Sequence, residues 1–219
     1  VAAVNVDGTR AVAAACARVG SALVYISSNA VFDGTHPPYA ESSPLGAVNR
    51  YGALKIEAEQ RARRALASCA IIRPILMYGW PLSGGRENAV TRWVASLEQG
   101  APVAVACDLY TQPLLAEDCA DAVWAVTVHQ RSGIYHVAGA DRLRLFDFAR
   151  HVARAFGLDE HLVTQASAEE LSAFAPRPRD TSFVTDKMER ELGVRPVGVE
   201  EGLRRMRQAR LACSSGCPS

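Results

Sequence analysis

Two uninterrupted apolar runs, 22–27 (ALVYIS) and 69–73 (CAIIR), constrain this chain more than any other feature. Both have strand length and both are rich in β formers without polar alternation, the pattern of strands buried on two faces in a parallel sheet. A Gly/Pro-rich loop runs from Ser28 to about Asn49, and a helical pattern follows from about Tyr51 to Ala67. Upstream, Val4, Ala11, Val12, Ala15 and Val19 recur at helical spacing, with Gly20 as the stop. Helix, strand, helix, strand is the order that predicts an α/β fold with a parallel sheet and crossover helices.

The remaining chain is more mixed. Helices are expected over Glu87–Gln99, Glu117–His129, Phe146–Phe156, Asp186–Leu192 and Val199–Arg210, and short strands over Val103–Ala106 and Ile134–Val137. Trp93 and Trp124 fall at helical apolar positions and are expected in the core. With 219 residues and no long linker, residues 1–211 read as one domain, and 212–219 as a loose tail. A hydrophobic content of 49% against 21% charged residues excludes wholesale disorder. The net charge of +1 implies neither a nucleic-acid groove nor a charged membrane surface as partner. No apolar run is long enough to span a bilayer and no leader pattern opens the chain, so a soluble, cytoplasmic protein is expected. The six cysteines lack C-x-x-C spacing and are expected as reduced core thiols, and the five histidines show no metal-ligand spacing.

The chemistry concentrates between Ser27 and Lys55. Ser27 and Ser28 stand where the first strand ends, the end at which ligands bind in open α/β sheets. Tyr51 and Lys55 are four residues apart and share one helix face. Lysine is rare here, only Lys55 and Lys187 against 22 arginines, so Tyr-x-x-x-Lys would arise by chance in roughly one such chain in twenty. A free phenol, with a pKa near 10, exchanges protons poorly at neutral pH. An ammonium about 4 Å away is worth on the order of 4 kcal/mol at an effective dielectric near 20, enough to bring it close to 7. A tyrosine so tuned is a general acid toward a carbonyl oxygen, and a neighbouring serine hydroxyl can hold that oxygen. The bland alternative is a packed Tyr51 and a solvated Lys55.

These residues, in this order, resemble the extended short-chain dehydrogenase/reductases, and among them the dTDP-4-dehydrorhamnose reductase-like branch. The match includes Ser28 before Val31-Phe32, then Tyr51-x-x-x-Lys55. It extends through Asn5-Val-Asp-Gly-Thr9, Arg73 followed by Met77-Tyr78-Gly79, Asp108 to Pro113, Gly133-Ile-Tyr-His-Val-Ala-Gly139 and Arg177-Pro-Arg-Asp180. The resemblance implies a Rossmann-type sheet, mainly residues 1–80 and 114–130, with a small α/β substrate lobe from the remainder. It implies an NADPH- or NADH-dependent reductase of a nucleotide-linked 4-keto-6-deoxysugar or similar carbonyl. Ser28, Tyr51, Lys55 and Asn5 would be catalytic; Ser27, Tyr51, Lys55, Arg73 and Met77 would face the cofactor; Asn29, Val31, Phe32, Arg177 and Arg179 would face substrate. A homodimer is the assembly it suggests. An epimerase or dehydratase with the same three residues, and a silent NAD(P)-binding regulatory subunit, are the alternatives.

Two departures stand out. The family opens with a strand, a G-x-x-G-x-x-G turn and a helix that cradle the cofactor pyrophosphate. No such turn occurs here, and the resemblance begins about 80 residues into the family's fold, so an N-terminally incomplete protein is expected, inactive by itself. The branch also carries Asp-Tyr where this chain has Asn29-Ala30, which removes a substrate contact.

Overall fold

The structure is a computed structural model and describes residues 2–82, 84–171 and 176–215. A π-helical turn, Ala3–Gly8, leads into α1 (Thr9–Val19), which stops at Gly20 in the left-handed region, φ 68°, where the missing Cβ removes the steric cost. Strand β1 (Leu23–Ile26), helix α2 (Arg50–Ala65) and β2 (Cys69–Pro74) follow. Next come β3 (Met77–Tyr78), α3 (Ala89–Glu98), β4 (Val103–Ala106), β5 (Tyr110–Thr111), β6 (Leu114–Leu115) and α4 (Ala116–Val128). Then β7 (Gly133–Val137), β8 (Leu143–Arg144), α5 (Leu145–Phe156), β9 (Val163–Ala166), α6 (Ala168–Leu171), α7 (Asp186–Leu192) and α8 (Val199–Ser215) complete the chain.

The central sheet has the order β1-β2-β7, parallel throughout, with Leu23 opposite Cys69 and Ala70 opposite Gly133. Strand β2 lies in the middle and all six of its residues are buried, which explains its unbroken apolar run. Its side chains alternate between two cores. Cys69 and Ile71 meet Ala13 of α1 and Ala62 of α2; Ala70 and Ile72 meet Ala122 and Val126 of α4 on the other face. Residues 133–137, outside the segments expected to form the sheet, belong to it, because β7 continues the parallel register on β2. Further along the chain α3, α5 and α8 pack around Tyr78, Val94, Phe148 and Leu203, and β4 pairs with β9 beneath α5.

Three expectations need correction. Trp124 is 70% exposed, because α4 turns this position away from the sheet. Helix α8 continues to Ser215, so the tail expected from 212 begins as helix; residues 216–219 lie outside the described residues. Strand β9 was missed because Val-Thr-Gln-Ala lacks both an apolar run and clean alternation. Cys16, Cys69, Cys107 and Cys119 are free thiols, while the Cys213 side chain and Cys217 lie outside the description. No helix among the described residues is long and apolar enough to cross a membrane.

Candidate active site

The carboxyl end of β1 opens into a single turn of 3-10 helix, Asn29–Val31, capped by Ser28. The Ser28 Oγ accepts the Ala30 N–H at 3.2 Å, the usual way a serine satisfies an orphan donor at a helix start. Helix α2 begins in the same fashion, with Asn49 Oδ1 accepting the Gly52 N–H at 2.9 Å. Its first turns lie directly against the Ser28 loop.

Tyr51 presents from this first turn with 46% of its surface open. Lys55, one turn further, is half-buried: its Nζ donates to the Ile26 carbonyl at 2.9 Å. The ammonium lies 5.0 Å from the Tyr25 ring centroid and 5.8 Å from that of Tyr51. Burial lowers the Lys55 pKa, and the Glu59 carboxylate works against that shift by favouring the charged form. Met77, on β3 just past the end of β2, is also accessible, with 41% of its surface exposed. Asn5 lies in the π-helical turn that packs on α2, where its carbonyl accepts Thr9 Oγ1–H at 2.7 Å.

Four candidate residues turn inward instead. Ser27 is buried and its hydroxyl donates to Glu59 Oε1. Arg73 is 1% exposed and grips the same carboxylate twice, Nε to Oε1 at 2.9 Å and Nη2 to Oε2 at 2.6 Å. A guanidinium so placed is neutralised by its partner, and the cavity it lines with Glu59, Glu41 and Gln60 does not include Ser28, Tyr51 or Lys55. Val31 and Phe32 are fully buried in the main core, Phe32 stacked on Tyr39 at 4.2 Å, because the 3-10 turn folds them under the loop. Ser27 and Arg73 are thus withdrawn as cofactor contacts, and Val31 and Phe32 as substrate contacts.

Asn29 stays at the surface of the site, half-buried, with Nδ2 donating to Thr181 Oγ1 at 2.5 Å. The late loop crosses the site at several further points. Asn49 Nδ2 donates to the Pro176 carbonyl at 3.0 Å, and Gln112 bonds both backbone groups of Phe183. Arg177 and Arg179 lie exposed on this loop.

Sequence reasoning missed the buried polar residues beneath. His136 on β7 is fully buried, stacked 3.9 Å from Phe183. Burial, with the Arg73 cation second, pushes its pKa down to about 3, so the ring is neutral. The Tyr39 carbonyl can only accept, so Nδ1 carries the hydrogen at 3.0 Å and Nε2 accepts from Arg73 Nη1 at 3.3 Å. A continuous chain therefore runs Ser27–Glu59–Arg73–His136–Tyr39 under the site. Its one legible signal was Glu59, four residues beyond Lys55 on the same helical stripe.

Residues 1–211 match the family described as the RmlD substrate binding domain. The dTDP-4-dehydrorhamnose reductase of Sinorhizobium fredii is 31% identical over 217 residues, covering 93% of this chain and 71% of that protein. Methionine adenosyltransferase 2 subunit beta of Xenopus tropicalis is 30% identical over 210 residues, covering 91% of this chain and 62% of that protein. The crystal structure of dTDP-4-dehydrorhamnose reductase from Bacillus anthracis in complex with NADP superposes with a TM-score of 0.85 at 29% identity, over 94% of this chain and 72% of that one.

Proposed function

The chain belongs to the RmlD substrate binding domain family, within the extended short-chain dehydrogenase/reductases, and on that premise we propose that it forms the reductase site for a nucleotide-linked 4-keto-6-deoxysugar. The observation that carries the proposal is the placement of Tyr51 and Lys55 on adjacent turns of α2, over the strand end that presents Ser28.

The residues present fit the nicotinamide half of a dinucleotide. Lys55 uses one of its three N–H donors on Ile26, and the others would hold ribose hydroxyls. Met77 offers an accessible apolar wall for the ring. When bound, NADPH or NADH supplies the hydride that reduces the carbonyl carbon and leaves as NADP⁺ or NAD⁺. Ser28 orients the carbonyl oxygen through its hydroxyl. Tyr51 gives its phenolic proton to that oxygen as it becomes an alcohol, and the Lys55 cation stabilises the phenolate left behind. Arg177 and Arg179 would hold the sugar's diphosphate with their guanidinium forks. Asn29, anchored by Thr181, lines the substrate side.

The test is NADPH-dependent reduction of dTDP-4-dehydrorhamnose by the full-length protein, followed by NADPH absorbance. Tyr51→Phe removes only the proton donor, so turnover should fall by about 10²–10⁴ while NADPH still binds. The likeness to a protein named as a subunit, methionine adenosyltransferase 2 subunit beta, favours a second reading as a regulatory subunit; on that reading the chain would bind NAD(P)H without turning it over. Bound NADPH with no reduction by the unmutated protein would select that reading.

A further inference from the structure

The stripe of α2 that faces the end of β1 makes three contacts in sequence. Gly52 lies against the Ala30 carbonyl, Lys55 donates to the Ile26 carbonyl, and Glu59 accepts the Ser27 hydroxyl. Only the third is backed from behind, because Arg73 on the central strand β2 holds both oxygens of Glu59. We propose that Glu59 is a positioning residue for the reaction: locked by Arg73, it fixes the β1 exit that presents Ser28 and holds α2 in the register that presents Tyr51 and Lys55. The proposal rests on the catalytic reading of those three residues.

Several features of the geometry support it. Glu59 is 2% exposed, so its carboxylate is unscreened by water and its bonds are directional constraints rather than surface pairs. It joins three elements, β1 through Ser27, β2 through Arg73 and α2 through its own backbone, at the one level where the Ser28 loop leaves the sheet. Its bonds go to Ser27 and Arg73 rather than to Ser28 or Tyr51, so it acts through other residues. Its charge also reaches Lys55, favouring the ammonium against the burial that lowers the lysine's pKa. Lys55 meets Tyr51 and Glu59 on its own helix and Tyr25 and the Ile26 carbonyl from β1. Glu59 in turn bonds Ser27 just past β1 and Arg73 of β2, and its charge reaches Tyr25 of β1 and the Cys69 thiol of β2. It is thus the anionic group among these neighbours that can hold Lys55 charged.

The experiment compares Glu59→Gln, the double variant Glu59→Met with Arg73→Met, and Tyr51→Phe in the full-length protein, with NADPH and dTDP-4-dehydrorhamnose. Glu59→Gln leaves Arg73 buried without its counter-charge and can fail to fold. The double variant replaces the pair by apolar chains of similar length, an exchange that buried pairs tolerate, and circular dichroism checks its fold. We expect the folded double variant to lose about tenfold or more in kcat and to move the alkaline limb of its pH–rate profile to lower pH. Ser27→Ala, which cuts only the link to β1, should lower kcat several-fold and leave that limb in place. A folded double variant with kcat within twofold of the parent and an unmoved limb overturns the inference alone, provided Tyr51→Phe is inactive. An active Tyr51→Phe overturns the catalytic reading and this inference together.

Discussion

The α-carbon of Gly52 faces the carbonyl oxygen of Ala30 so closely that a Cβ there would stand 2.0 Å from it. Helix α2 and the loop carrying Ser28 are therefore in backbone contact, and nothing larger than glycine fits between them. Because the contacting atom is the Ala30 backbone carbonyl, it cannot swing aside as a long side chain would.

Gly52→Ala should thus push the helix and the loop apart. The expected cost is about 1–3 kcal/mol of stability, read from the denaturant midpoint. Turnover should fall by about 10²-fold, because Tyr51 and Ser28 separate by a fraction of an ångström or more. A variant as stable and active as its parent would contradict the contact.

Lys55 and Ser28 should divide binding from turnover. Lys55→Ala is expected to weaken NADPH binding and lower kcat together, since one ammonium is assigned to both the ribose and the phenol. Lys55→Arg should rescue poorly, because a planar fork cannot repeat a compact ammonium lodged between Ile26 and two tyrosine rings. Ser28→Ala should lower kcat with NADPH affinity unchanged within about twofold. Fluorescence titration and steady-state kinetics on the same samples read both quantities.

His136 gives the protein an acid-sensitive core. Its folded pKa, about 3, lies below the ordinary histidine value of 6.5, so the unfolded chain binds more protons between those pH values. The stability held with a neutral ring is present above about pH 6.5 and is lost as pH falls toward 3. The full effect is on the order of 5 kcal/mol. His136→Gln, which removes the titration, should flatten the slope of unfolding free energy over that window. An unchanged slope would show that other groups carry the acid sensitivity.

The 219-residue chain by itself should bind NADPH weakly. Lys55 and Met77 offer contacts to the nicotinamide half, while no G-x-x-G-x-x-G turn is available in these residues for the pyrophosphate. Saturable micromolar binding in a fluorescence titration would refute this.

Much of the architecture was legible in the chain because it depends on short-range patterns. The apolar run Cys69–Arg73 marked a strand buried on both faces, and β2 proved to be the centre of the parallel sheet. Helical spacing with glycine stops placed α1 and α5, each ending at a left-handed glycine, 20 and 157. Tyr51 and Lys55 could be set on one face of a helix from spacing alone, since a helix repeats every 3.6 residues wherever it lies, while Ser28 was joined to them through the family resemblance.

What the sequence could not decide was which polar residues face a ligand and which face each other. Arg73 carries the same charge as Arg177 and Arg179, yet it is buried against Glu59 while they lie exposed on the late loop. Ser27 and Ser28 are adjacent, and strand alternation sends one hydroxyl inward to Glu59 and leaves the other at the loop cap. Thr181 joins Asn29 across 152 positions of chain, and His136 meets Tyr39 across 97. Such partners are fixed by packing, because a buried polar group must find a bond wherever the fold brings one. Local pattern decided the elements and the face of α2; only the assembled core decided that Glu59, Arg73 and His136 would lie beneath the site.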